Sequence, residues 1–406
     1  MNHPTLIIGG GISGITAAVE LAEAGQQVVL IEKENYLGGN VSQFNSYFPK
    51  LCPPSCGLEI NYRRIRSNPR ITFYTGASLK SICGQQGEYN VQIELKPRLI
   101  NNHCTSCGRC AEVCPEVRPD IPGRASDEKA AYIQNGLAFP MKYCIDPDVC
   151  KGEDCGLCVE VCDPNAIQLN ATTAEIGIQA GKVIVATGWK LYDASNIENY
   201  HYREEADVVT NLEFEALLAA CSRDKTELLR PSDGQKPRRI AFIQCAGSRD
   251  VNHLPYCSTV CCSASLKHAL TLATQFQGVE AEIFYIDMRL SGRNEKLLKQ
   301  AEEMEGIQLT KGKVGRILPS GTGKELILDV EDIAGGTLRQ DAFDMVVLAM
   351  GLTPGPLAAD LQVNEYGFYL SEQRSGMIPA ASCKRPMDVS SSVKDATAAA
   401  LKAMQG

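Results

Sequence analysis

Positive charge is in short supply: 40 Lys and Arg stand against 48 Asp and Glu, a formal charge of −8. A phosphate-backbone partner needs a clustered excess of Lys and Arg, and no such cluster occurs, so nucleic acid is excluded as a partner. Long apolar runs are missing too: no uninterrupted stretch approaches the roughly 20 residues of a membrane-spanning helix, which predicts no direct membrane span. Met1 to Thr5 lead straight into a short apolar strand, without a charged leader, a long apolar region or a cleavage site, so no secretory signal is expected. Histidine is scarce, five scattered residues of which only His103 stands beside a cysteine, and no Ser-His-Asp or Cys-His constellation can be assembled. Tandem repeats of α/β units and low-complexity tracts are absent as well.

Cysteine, by contrast, is abundant, with 18 residues among 406. Without a secretory signal these read as metal ligands rather than a disulfide framework, because cytosolic thiols are kept reduced. The length suits two or three domains with sizeable cores. Residues 5–32 read as one βαβ unit: Leu6-Ile7-Ile8, a glycine turn, an alanine-rich helix closed by Gly25, then Val28-Val29-Leu30-Ile31. From about Pro97 to Asn170 the chain becomes rich in cysteine and proline with few apolar residues, as an inserted module folded around metal would be. The parallel-sheet pattern resumes at Val183, Pro231 to Arg238 read as a polar linker, and a second α/β unit opens at Ile240-Ala241-Phe242-Ile243. It continues through a helix near 264–276 and strands at 281–286 and 345–349, and a helix over 393–404 ends the chain.

Gly9-x-Gly11-x-x-Gly14 follows a strand and opens a helix, so its backbone can approach a pyrophosphate at the helix amino terminus, with Ser13 in the same turn. Glu32 closes the second strand, where an acid accepts hydrogen bonds from an adenosine ribose; this favours FAD or NAD over a 2′-phosphorylated nucleotide. Lys33 and the doublet Gly38-Gly39, together with the later Ala186-Thr187-Gly188 turn, resemble two-dinucleotide flavoproteins and favour FAD. At the matching strand end of the second unit the residues are Ile243-Gln244-Cys245-Ala246-Gly247-Ser248-Arg249. A cysteine replaces the first glycine and no third glycine follows, so NAD(P)H binding is not expected there.

The spacing Cys104-x-x-Cys107-x-x-Cys110-x-x-x-Cys114-Pro115 matches the bacterial ferredoxin run, in which three thiolates wrap one cubane and the fourth serves a second cluster. A partner run, Cys150-x4-Cys155-x-x-Cys158-x-x-x-Cys162, carries two extra residues in its first gap. Together they predict Cys104, Cys107, Cys110 and Cys162 on one [4Fe-4S] cluster, and Cys150, Cys155, Cys158 and Cys114 on another; zinc is the alternative. Cys144 reads as a free thiol. The spacing of Cys245, Cys257, Cys261 and Cys262 leaves a cluster and buried thiols equally open. Cys52-Pro-Pro-Ser-Cys56 departs from the Cys-x-x-Cys redox spacing and reads as unreactive thiols, with a redox dithiol the alternative. Cys83, Cys221 and Cys383 read as packing residues, and Lys267 and Arg289 as solvent-facing charges, with a flavin or partner surface the alternative.

The stretch Phe242 to Arg249, the Cys257/Cys261-Cys262 group, Tyr285-Ile-Asp-Met-Arg289 and Pro386-Met-Asp388 before the last helix resemble the A-type subunit of heterodisulfide reductase over nearly the whole chain. That resemblance implies a thioredoxin-reductase-like, two-dinucleotide-binding α/β flavoprotein fold with an inserted ferredoxin-like two-cluster domain. It further implies a third [4Fe-4S] cluster on Cys245, Cys257, Cys261 and Cys262 close to the flavin, and Asp388 among the FAD contacts. The expected divisions are 1–96, 171–235 and 346–406 for FAD, 97–170 for the two clusters, and 236–345 for a degenerate nicotinamide-type domain. Lacking the additional cluster domains of methanogen forms, the chain is more similar to the branch that interacts with quinone through a membrane-bound complex and serves adenylylsulfate reductase in sulfate respiration. The implied partners are adenylylsulfate reductase, a haem-bearing membrane subunit and a second protein with flavin and iron-sulfur centres, on the cytoplasmic face of the membrane. The family's usual Ala-Gly pair is replaced by Ala380-Ala381 within Gly376 to Ala381. Alternative readings are an NAD(P)H-dependent flavin and iron-sulfur reductase similar to the small subunit of glutamate synthase, a heterodisulfide reductase subunit engaged in electron bifurcation, and a non-catalytic assembly module.

Overall fold

The computed structural model describes residues 3–118, 128–319 and 325–405, so positions 119–127 of the expected 97–170 module lie outside the described residues. The first unit begins with β1 (Thr5–Ile8), α1 (Ile12–Glu23) and β2 (Val28–Glu32), followed by α2 (Ser55–Ser67) and β3 (Ile71–Thr75). β1 is buried on both faces, as a central parallel strand must be, and α1 lays Ile15, Val19 and Leu21 into the same core. β4 (Ala77–Gln85) and β5 (Glu88–Leu95) then form an antiparallel pair beside the sheet.

Between β5 and β8 (Ala174–Ala180) the chain makes an excursion holding α3 (Arg109–Glu112), the two-residue strands β6 (Ala131–Tyr132) and β7 (Cys144–Ile145), and α4 (Leu157–Glu160). β5 and β8 are hydrogen-bonded neighbours, Leu95 opposite Ala174, so the excursion leaves and re-enters the fold at one place. Its apolar core is small: Leu99, Ile100, Ala131, Ile145 and Ala166, with Cys104, Cys110, Cys114, Cys150, Cys158 and Cys162 packed against them. β9 (Lys182–Val185) then returns to pair with β1 on the side opposite β2.

A short strand β10 (Trp189–Leu191) leads to β11 (Val208–Thr210) and α5 (Asn211–Asp224). The start of α5 is fixed by a capping box: the Glu213 N–H donates to the Thr210 hydroxyl while the Thr210 N–H donates to the Glu213 carboxylate. The second unit continues with β12 (Arg239–Ala246), α6 (Cys261–Gln275), β13 (Glu280–Tyr285), α7 (Glu295–Glu302), β14 (Ile307–Pro319), β15 (Leu326–Asp332), β16 (Thr337–Phe343) and β17 (Met345–Met350). The chain ends with β18 (Leu352–Pro354), β19 (Ile378–Pro379) and α8 (Val389–Gln405), the last starting four residues before the expected Val393.

Two principal sheets result, a five-stranded one in the order β19-β9-β1-β2-β3 and a seven-stranded one in the order β11-β17-β12-β13-β14-β15-β16. The first is parallel throughout; the second is parallel from β11 to the start of β14 and antiparallel beyond. β11 and β17 both belong to the second sheet, so its strands come from the 171–235 stretch and from across position 346 as well. The completely buried strand Met345-Val-Val-Leu-Ala-Met350 takes an inner place in that sheet, between β11 and β12. β10 and β18 pair as a ribbon between the units. The first sheet's order reverses at β1, and the crevice outside the carboxyl ends of such strands is where α/β sheets bind ligands.

Candidate functional site

A cavity of about 770 Å³ opens at that crevice and runs from the first unit to the second. Gly9, Gly11, Ser13, Glu32, Lys33, Gly39, Ala186, Thr187, Gly188 and Asp388 line it. The three glycines of the first turn do different things. Gly9 has φ +107°, and a side chain there would run into the Ala186 carbonyl; at Gly14 it would strike the Gly9 carbonyl, so Gly14 serves helix-to-strand packing and stays out of the cavity lining. Gly11 has ordinary extended backbone, φ −72° and ψ −178°, and a Cβ there would meet no atom within 4 Å. Its freedom from a side chain therefore serves the cavity and not the fold.

Glu32 is buried with its carboxylate accepting from the Gly10 N–H at 2.6 Å and the Glu34 N–H at 2.8 Å. Burial pushes its pKa up, against the two backbone donors that pull it down. Lone pairs remain on both oxygens for a ligand hydroxyl. Asp388 Oδ1 accepts from the Ser391 N–H, capping α8, whose first residues Val389 and Ser392 also face the cavity. Two buried polar atoms of the wall, Asn211 Oδ1 and His268 Nδ1, have no protein partner. The open space at Gly11, the helix amino terminus behind it and these unpaired atoms fit a dinucleotide carrying a polar ring system.

The opposite wall contains a charge group that sequence reading missed. Lys267, read from the sequence as a solvent-facing charge, is buried: its Nζ lies 2.5 Å from Glu215 Oε2 and 3.0 Å from the Ser46 carbonyl. His268 Nε2 reaches the same Glu215 oxygen, and Glu215 Oε1 accepts from the Asn45 N–H at 2.7 Å. Burial alone would raise the Glu215 carboxyl, but Lys267 and His268 outweigh it and hold the carboxyl well below the usual range. For His268 burial wins over Glu215, and its pKa is lowered. All three residues line the cavity. A signal existed in Lys267-His268 at the inner face of a buried helix, but the partner Glu215 is 52 residues away on α5.

The excursion brings its cysteines together in two groups. Cys104, Cys107, Cys110 and Cys162 line one small cleft with Tyr143, Pro164 and Ile167. Cys158 is flanked by Cys150, Cys114 and Cys155, whose charges would oppose its ionisation after burial has already raised its pKa. Burial and Cys104 push the Cys110 thiol up to about 12. Each group meets a one-turn helix entered through a left-handed glycine, Gly108 for α3 and Gly156 for α4, and the two helices touch. Backbone N–H groups aim at the sulfurs: Ser106 at Cys104 (3.4 Å), Ala166 at Cys162 (3.3 Å) and Gly152 at Cys150 (3.3 Å). Part of the lengthened gap between Cys150 and Cys155 is taken up by a single 3-10 turn, Gly152–Asp154. Cys144 lies apart, in β7, donating to the Tyr132 carbonyl.

The third group gathers at the carboxyl end of β12 and the first turn of α6. Cys245 sits in left-handed backbone (φ +57°), and Cys245, Cys257, Cys261 and Cys262 are mutual electrostatic neighbours. Cys261 is buried, and that burial raises its pKa well above the ordinary thiol value. Val260 and Ala264, on either side of Cys261 and Cys262, line the large cavity. Among the described residues, no three His, Cys, Asp or Glu side chains close around a single ion position. Of the remaining cysteines, Cys221 and Cys383 are buried packing residues, but Cys83, expected to be one, is exposed on β4; Cys52 is half-buried and Cys56 exposed at the start of α2.

Residues 5–52 match the family model of FAD dependent oxidoreductase. The chain is 36% identical over 395 residues to the A-type subunit of H(2):CoB-CoM heterodisulfide,ferredoxin reductase of Methanothermobacter marburgensis, covering 96% of this chain and 59% of that protein. It is 35% identical over 417 residues to the A-type iron-sulfur subunit of CoB–CoM heterodisulfide reductase of Methanocaldococcus jannaschii, covering 97% and 63%. The chain thus spans about three fifths of the length of these curated relatives. Among solved structures, thioredoxin reductase of T. acidophilum aligns with a TM-score of 0.54 at 14% identity over 98% of this chain and 97% of that one. Thioredoxin reductase of Lactococcus lactis aligns with a TM-score of 0.53 at 13% identity over 100% and 98%. The fold is therefore that of the two-dinucleotide flavoproteins.

Proposed function

The chain is a homologue of the A-type subunit of heterodisulfide reductase, and on that premise we propose that it is the FAD and iron-sulfur electron-transfer subunit of an oxidoreductase complex. One observation carries the reading: a single cavity has the glycine turn and Glu32 in one wall and, in another, the α6 turn that bears Cys261 and Cys262. Bound FAD would supply two-electron and one-electron chemistry, and three [4Fe-4S] clusters would supply single-electron relay.

The chain's own residues have definable tasks. The open backbone at Gly11 and the amino terminus of α1 receive the pyrophosphate, and Glu32 accepts from the adenosine ribose. Lys33, Gly39, Ala186, Thr187, Gly188 and Asp388 complete the FAD contacts. Lys267, on α6 and bonded to Glu215 and the Ser46 carbonyl, faces the cavity beside the flavin position. In the inserted ferredoxin-like module Cys104, Cys107, Cys110 and Cys162 hold one cluster and Cys150, Cys155, Cys158 and Cys114 the other. Cys245, Cys257, Cys261 and Cys262 hold the third, one helical turn from the cavity, where it is the nearest relay to the flavin.

The physiological assignment is electron passage between a quinone-linked membrane module and adenylylsulfate reductase. Its partners are a second flavin and iron-sulfur protein and a haem-bearing membrane subunit. Among the described residues no helix is long and apolar enough to cross a membrane, so attachment to the cytoplasmic face rests on such a partner. Affinity purification from a native host under anaerobic conditions tests this: recovery of a haem-bearing membrane subunit supports it, and recovery of methanogenic partners alone refutes it. The cofactor assignment is tested by releasing the flavin and separating it chromatographically, with FAD expected and FMN refuting the dinucleotide site.

A further inference from the structure

Three of the cysteines in the third group lie beside one small ionic assembly that their role as ligands does not require. Arg249, in the turn after β12 with φ +58°, pairs through Nη1 with Asp287 Oδ1, and Arg289 Nε donates to Asp287 Oδ2 at 3.0 Å. One carboxylate therefore holds two guanidinium groups. The Arg249 guanidinium stands close to the Cys245 thiol and the Arg289 guanidinium close to the Cys257 thiol, while Cys262 Sγ points at the Asp287 carbonyl at 4.0 Å. The remaining member, Cys261, lies 3.4 Å from the Met350 carbonyl on the inner side, away from these charges. Two cations against one anion leave a net positive charge on the outer face of the cysteine group.

The other two groups also have cations nearby, and they differ in exposure. In the first, the Arg109 guanidinium also stands close to a ligand thiol, that of Cys107, but Cys107 is exposed and Arg109 is paired with Asp163, so water and a counter-charge screen it. Beside the second, Lys151 is mostly exposed and bound to Glu116. Cys261 and Cys262, by contrast, are buried, and Arg249 is only 23% exposed, so the charge there acts through poorly screened surroundings.

We propose that Arg249 and Arg289, clamped by Asp287, are positioning residues that raise the reduction potential of the [4Fe-4S] cluster on Cys245, Cys257, Cys261 and Cys262. The inference rests on the third-cluster reading given above. Reduction adds one electron and makes or breaks no bond, so the reduced form carries one more negative charge against the same four thiolates. A fixed positive charge and hydrogen bonds to sulfur favour that form, which is the means by which proteins tune such centres. The arrangement makes this cluster a better acceptor for an electron leaving the flavin than it would be with neutral side chains at 249 and 289.

The test is an anaerobic redox titration of the full, cluster-loaded chain, followed by electron paramagnetic resonance, with iron counted in the same samples. Arg249→Gln should lower the midpoint of the third cluster by about a tenfold change in equilibrium constant, some 59 mV for one electron, and Arg289→Gln, whose side chain is half exposed, should lower it by a smaller amount, both leaving the other two clusters unmoved. Arg249→Lys, which keeps the charge, should stay near the parent value, and Asp287→Asn, which frees both cations, should move the midpoint upward. Where Arg249→Gln loses iron, Arg289→Gln carries the measurement, because that side chain is half exposed. Unchanged midpoints with all three clusters present overturn the proposal and leave the cluster reading standing. A lysine variant that falls as far as the glutamine variant overturns it too, since geometry rather than charge would then be responsible. A parent protein with iron for only two clusters removes the third-cluster reading and this proposal together.

Discussion

Replacing Gly11 and Gly14 separately should divide cofactor binding from folding, because the two glycines lie three residues apart in one turn yet face different surroundings. A Cβ at Gly11 meets nothing within 4 Å and projects where the cavity is open, and its backbone angles suit any L-residue. In Gly11→Val the loss of a favourable N-cap glycine is offset by the lower entropy of the unfolded chain, so the stability of the flavin-free protein should change by less than about 1 kcal/mol. Flavin retention should nevertheless collapse, since the new methyl groups occupy the space of the pyrophosphate. In Gly14→Ala the added carbon would stand 1.8 Å from the Gly9 carbonyl oxygen, less than any real contact permits. Helix α1 or the turn must shift, at a cost of about 3 kcal/mol or more, the upper end of overpacking penalties. The assay is flavin absorbance after gel filtration, with thermal unfolding of both proteins after flavin removal. Stoichiometric flavin on Gly11→Val, or equal melting temperatures for the flavin-free variants, would falsify this assignment of roles.

Lys267→Met should destabilise the protein by about 3–5 kcal/mol, measured by urea unfolding, because Glu215 is left in a dry wall with a neutral histidine as its main side-chain partner. The parent's stability should decline with acid in two stages. Burial keeps His268 neutral in the fold, so its contribution is complete above the unfolded value of 6.5 and fades as pH falls below it; Glu215, whose folded pKa is depressed, adds a second loss below 4.5. A melting temperature flat from pH 7 to pH 4 is the contrary result. Anaerobic iron and sulfide analysis should find about twelve iron atoms per chain, and Cys162→Ser should lower this to about eight by removing the cluster shared with Cys104, Cys107 and Cys110; zinc in their place defeats the assignment. NADH or NADPH mixed anaerobically with the protein should bleach the flavin slowly or not at all, since Cys245 stands where a nicotinamide dinucleotide needs glycine; rapid bleaching at sub-millimolar nicotinamide is the opposing outcome.

Features whose physics is local were readable in the chain itself. A strand, a glycine turn and a helix within 28 residues define the first βαβ unit, because φ preferences and apolar periodicity act over a few residues. Cysteine spacing likewise marks candidate ligands, since a short loop around a cubane permits few separations. What only tertiary structure decided depends on contacts between distant stretches. The pairing of β11 and β17 within the second sheet follows from which buried strand edges find each other, and nothing at Val208 or Met345 announces it. The Glu215–Lys267–His268 group joins α5 to α6, so the ammonium that looked solvent-facing in sequence is held in a dry wall by a carboxylate 52 residues away. Gly11 and Gly14 look alike in the motif, and only the packed turn shows that one clears room for a ligand and the other for a backbone carbonyl. Arg249 and Arg289 meet over one carboxylate because β12 and β13 are parallel neighbours whose ends lie side by side.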